Sequence, residues 1–243
     1  YALTAEFDET AAVSVDGGQT ESMSLSKFLG DSRSLFTLGF ALAMCIVMMN
    51  GLFYRGTLTF LPDVLGNFLP PISESVTLFE PGSPLASEFD LASYLYVGLL
   101  TIGIGGQYVG GKVSDRIEPT TGLTVVFGSL VVVAVGFVPA ARTGLAPLLV
   151  ASAVLGFLLF ALQPLYQATI AEHSPPDDRG LSYGYTYLTS FGVGAAGAAI
   201  AGYLLSVVSA DGTFLALAAF PALGAVFALV LRRWGEGEDD GSA

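Results

Sequence analysis

Apolar runs about 20 residues long, separated by short polar stretches, organise most of the chain. A helix needs about 20 apolar residues to cross roughly 30 Å of hydrocarbon, so each run predicts one transmembrane helix. The first covers about Leu35 to Leu61, the second Leu91 to Gly111 and the third Thr121 to Pro139. The fourth runs from about Leu145 to Ala171, the fifth from Ser182 to Val208 and the sixth from Phe214 to Leu231. The pattern predicts an all-α polytopic membrane protein whose six transmembrane helices occupy residues 34–233.

Three stretches break this rhythm. Residues 1–33 place Glu6, Asp8, Glu9, Asp16, Glu21 and Asp31 among serine, threonine and glycine, which reads as a solvated linker or tail. The 62–90 connection holds Pro62, Pro70, Pro71, Pro81 and Pro84, which exclude a continuous helix through it and make it a long external loop. Residues 234–243 read as an acidic tail.

Only 12% of the 243 residues are charged, about half the share of a soluble domain. The depletion favours membrane spans over a large soluble core. The net charge is −12 and only Lys27 and Lys112 among the nine basic residues are lysines. An acid-rich, lysine-poor surface of this kind suits a salt-loving microbe (a halophile), where salt screens self-repulsion. It makes nucleic acid an unexpected partner. Cys45 and His173 stand alone, so neither a disulfide, a metal site nor a paired-histidine hydrolase can be assembled. No enzyme activity and no cofactor are expected. An ATP-driven importer subunit would need a longer inner coupling segment than these loops offer.

Basic residues are retained on the cytoplasmic side of short loops. With the amino end inside, Lys27, Arg33, Lys112, Arg116, Arg179, Arg232 and Arg233 all face inward, and Arg142 alone faces outward. The expectation is a multi-pass protein of the cytoplasmic membrane with both termini in the cytoplasm.

Two motifs carry a resemblance. The junction of helices 2 and 3 reads Gly110-Gly111-Lys112-Val113-Ser114-Asp115-Arg116, and Glu172 leads through a short loop to Arg179-Gly180 after helix 4. The pair resembles the G-x-x-x-D-R and E…R-G segments of the C-terminal half of major facilitator superfamily transporters, over about residues 24–233. Glu118, Pro119, Thr120 and Thr121 depart from the glycine and basic residues that the family prefers there. The resemblance implies half of a twelve-helix fold built as a 3+3 inverted repeat. An N-terminal six-helix half would then lie upstream or on a second chain, in line with the opening at Tyr1. It implies a symporter or antiporter (a permease in the broad sense) that moves a small-molecule solute, possible coupling ions being H+ or Na+. The alternative is a six-helix membrane protein without transport of its own.

Candidate residues follow. Gly111, Asp115, Arg116, Glu172 and Arg179 form the expected cytoplasmic gate: Gly111 permits close helix approach, Asp115 can face a helix amino terminus, and the charges can pair and separate. Under an inverted repeat, helices 1 and 4 correspond and are the ones that bind substrate. Asn50, Tyr54 and Arg55 on helix 1, with Gln163, Tyr166 and Gln167 on helix 4, are therefore the substrate-pathway candidates. Interhelical hydrogen bonding is the other reading of the amides. For Arg55 the choice lies between reaching the outer headgroups beside Asp63 and attracting an anionic solute. Gly192, Gly194, Gly197 and Gly202 let helix 5 pack closely.

Overall fold

The computed structural model describes residues 25–68 and 91–241, and among these every regular element is a helix. Residues 25–34 belong to a unit of their own. It contains most of α1 (Leu25–Leu35), so the expected linker is helical from Leu25 onward. Leu25, Phe28, Leu29 and Leu35 recur at helical spacing there, a periodicity too short to read as a span. The rest of that stretch, 1–24, lies outside the described residues.

The second unit holds the spans. The first is α2 (Leu38–Phe68), the second α3 (Leu91–Ser114), the third α4 (Pro119–Thr143) and the fourth α5 (Leu145–Glu172). A short 3-10 turn at Pro176–Asp178 leads into the fifth, which joins α6 (Arg179–Tyr187), a π-helical segment (Leu188–Val193) and α7 (Ala196–Val207). The sixth joins α8 (Ala210–Leu217) and α9 (Ala219–Gly241) across a turn at Ala218. Among the described residues, five helical runs are long and apolar enough to cross a membrane: 38–66, 119–143, 145–172, 176–207 and 210–236. The 24-residue α3 has the length, but Tyr94, Tyr96, Gln107, Tyr108 and Lys112 lower its hydropathy.

Three boundaries differ from the sequence expectation. The first span continues to Phe68 with Pro62 inside it, which shortens the expected 62–90 loop; residues 69–90 lie outside the described residues. Proline forfeits one intrahelical hydrogen bond, but Leu61, Val64 and Leu65 around it are buried and hold the last turns in place. The fifth span is not one regular α-helix. The acidic tail is helical to Gly241, beyond an Arg232–Glu236 pair of 3.1 Å at i,i+4 spacing.

The packing repeats itself. The first span rests on the fifth as the fourth rests on the second, and the first meets the sixth as the fourth meets the third. The third and sixth also pack on each other, with Phe137 and Phe214 stacked at 4.8 Å. Exchanging spans 1–3 with 4–6 leaves this set of neighbours unchanged, as a 3+3 repeat requires. Small residues make the matching contacts. Side chains on Gly106 and Gly110 of α3 would run into the carbonyls of Phe157 and Ala161, and one on Gly197 of α7 would run into the Leu52 carbonyl. Two backbones can approach this closely in lipid only where the Cβ is missing.

Two expected roles shift with this packing. Gly192 is exposed and meets only Leu188 of its own helix, whereas Gly194 and Gly197 touch the α2 backbone and Gly202 faces the Phe60 ring. On α3 the close approach belongs to Gly110; a Cβ on Gly111 would sit 4.0 Å from Pro164, an ordinary contact. A single residue, Gly144 at φ 140°, reverses the chain between α4 and α5, a conformation that favours glycine.

Candidate functional site

Neighbouring faces of α2 and α5 leave a gap that the π segment closes on its third side. The result is a cavity of about 80 Å³ lined by Asn50, Tyr54 and Arg55 from α2, Leu159, Phe160, Gln163 and Tyr166 from α5, and Ser190 and Phe191 from the π segment. Asn50 and Tyr54 are four residues apart, as Gln163 is three from Tyr166, so each pair shares one helix face. Five of the six pathway candidates thus come together. Gln167, one turn beyond Gln163, does not line the space.

Polar groups here are sparingly satisfied. Asn50 is 6% exposed, and its Oδ1 is buried without a hydrogen-bond partner. The Gln107 amide donates to Gln163 Oε1 at 2.5 Å, tying α3 to α5 beside the cavity. The Arg55 guanidinium lies 5.4 Å above the Phe191 ring, and the Tyr54 and Phe160 rings meet edge to face at 5.8 Å. A cation over an aromatic face is held by the ring quadrupole.

Sequence reasoning missed Gln107, Phe160, Ser190 and Phe191. The adjacent Thr189-Ser190 inside an apolar run was the legible signal; the π-helical winding that brings Ser190 and the half-exposed Phe191 to the cavity was not. Such π segments arise often at functional sites.

The expected gate residues are not assembled into a cluster. Asp115 and Arg116 occupy the exposed turn after α3, and Glu172 and Arg179 are exposed at the end of α5 and start of α6. Among the described residues none of these four forms an ion pair. The charge that does organise this end is Glu118, which accepts hydrogen bonds from the hydroxyls of Thr120 (2.5 Å) and Thr121 (2.9 Å) and lies 3.5 Å from Arg232. The residues that depart from the family pattern therefore build the amino end of α4: Pro119 opens the helix and Glu118, rather than Asp115, places its negative charge beside the free N–H groups. At the opposite ends of α4 and α5, Arg142 pairs with Asp211 of α8.

Among the described residues no group of histidine, cysteine, aspartate or glutamate could hold a metal ion. No curated protein matches the chain. The family model of the Major Facilitator Superfamily matches residues 8–198, more than three quarters of the sequence. With repeated three-helix packing and a central cavity between the first and fourth spans, the chain belongs to the Major Facilitator Superfamily, a family of membrane transporters.

Proposed function

We propose that the chain is the C-terminal half of a secondary transporter that moves a small solute across the cytoplasmic membrane by alternating access. One observation carries the reading: Asn50, Tyr54, Arg55, Gln163 and Tyr166 converge on a single cavity from the two spans that correspond under the repeat. Polar side chains within apolar spans are retained where they face a cavity or a partner. An N-terminal six-helix half completes the cavity, and an H+ or Na+ gradient or the solute's own gradient drives movement. Both termini lie in the cytoplasm of a halophile.

Asp115, Arg116, Glu172 and Arg179 act at the inner gate, paired when the inner side is closed. The four stand apart in this structure, and this reading assigns their separation to the inward-open arm of that cycle. Gly110, which has no Cβ to meet the Ala161 carbonyl, lets α3 lie close against α5.

Uptake into proteoliposomes that hold the chain together with an N-terminal six-helix half, read by mass spectrometry over a mixture of small solutes, tests the proposal. At least one solute enters protein-bearing vesicles and not empty ones, and Asp115→Asn slows its entry with insertion unchanged. A chain that inserts normally and moves none of them is a six-helix membrane protein without transport of its own.

A further inference from the structure

Arg55 interrupts an apolar span. It lies 17 residues after Leu38 and 13 before Phe68 on one helix, about 26 Å from one end and about 20 Å from the other. A charge within a span is retained where it faces a cavity or a partner. Asp63 does not supply the partner: it sits eight residues on, about 12 Å along the axis. Among the described residues Arg55 makes no ion pair at all. It faces the cavity, over Phe191, and no carboxylate lines that space.

We infer that the solute this cavity takes is a small organic monoanion, a carboxylate on an apolar or aromatic body, bound by Arg55. The inference rests on the cavity being the transport pathway. A guanidinium presents a planar fork of N–H donors that matches a carboxylate at two points. One such group balances one negative charge, and no second cation is among the described residues that line the space. Tyr54, Phe160 and Phe191 offer ring surfaces to the uncharged part. Asn50 adds an amide whose Oδ1 is buried and unpartnered at the same wall. The NH2 of the same amide is a donor suited to an anionic oxygen. The 80 Å³ of this partly open cavity is several waters' worth of space, enough for a carboxylate and the start of its body.

The test reads the cavity's charge preference directly. Ser190→Cys is made in a Cys45→Ala background and labelled with two small thiosulfonates, one bearing a sulfonate and the other a trimethylammonium. Each rate is taken relative to the same reagent with free mercaptoethanol. The anionic reagent reacts faster by roughly tenfold or more; Arg55→Gln removes that preference and Arg55→Lys keeps it. Benzoate slows the labelling and benzamide, its uncharged counterpart of the same shape, does not. Labelling without a preference for the anion, or a preference unmoved by Arg55→Gln, overturns the monoanion inference and leaves the pathway reading standing. A Ser190→Cys protein that elutes like the parent and reacts with neither reagent removes the pathway reading, and the monoanion inference with it.

Discussion

Replacing Gly156 with alanine tests the contact that seats α5, one wall of the cavity, against α3. A Cβ at Gly156 would fall 2.6 Å from the Leu99 carbonyl oxygen, where ordinary contact begins at 3.4 Å. The shortfall is 3.4 − 2.6 = 0.8 Å, and because the obstructing atom is backbone, α3 and α5 must part by about that amount. A gap of roughly 0.5–1 Å forfeits a quarter to a half of each dispersion contact across it. Gly103, Gly106 and Gly110 lie along the same seam and lose theirs together. The expected cost is about 1–3 kcal/mol, the range for overpacked interiors. Gly128 supplies the opposite case: it is exposed in mid-helix with nothing within 4 Å of a new Cβ, so alanine there should stabilise by up to about 1 kcal/mol. Thermal unfolding in detergent, followed by circular dichroism, compares the two. If Gly156→Ala melts at or above the parent temperature, α3 and α5 are not in this contact and the geometry of the cavity wall falls with it.

Gln163→Leu should change stability by no more than about 1 kcal/mol, the scale of an interhelical hydrogen bond in lipid, while uptake of the transported solute falls at least tenfold. Equal losses in both assays would make Gln163 a packing residue. Arg142→Ala removes an exposed pair whose side chains are 61% and 35% accessible and should cost under about 1 kcal/mol in the same melt. Ser152 Oγ is buried without a partner, so Ser152→Ala should leave the melting temperature unchanged or raised, by up to about 1 kcal/mol of stability. A clear fall would reveal a hydrogen bond that the structure does not contain. Glu118→Gln should lower stability by about 0.3–1 kcal/mol at low salt through the lost charge at the start of α4, and by less in high salt.

The spans were legible because length and charge depletion are read residue by residue. Leu145–Glu172 differs from its expected bounds by a single residue. The polar positions Asn50, Gln163 and Tyr166 could be picked out because such groups are rare in apolar helices. What escaped depends on neighbours that sequence spacing does not name. Pro62 punctuates a loop in isolation, yet the burial of Leu61, Val64 and Leu65 keeps it helical. Gly106 and Gly110 look like any glycines until Phe157 and Ala161 are set against them. Ser190 and Phe191 reach the cavity through a π-helical turn, and no residue pattern announced it. The charge that organises the start of α4 is Glu118, at a position read as a departure from the family pattern.

Access to Gln163 from the two sides of the membrane tests the transport reading most directly. Gln163→Cys in a Cys45→Ala background is placed in sealed vesicles of known orientation and exposed to a membrane-impermeant thiol reagent, first outside and then inside. Alternating access predicts labelling from both sides, with each side's rate changed in opposite directions when the transported solute is added. Labelling from one side only, or from neither, would contradict the account.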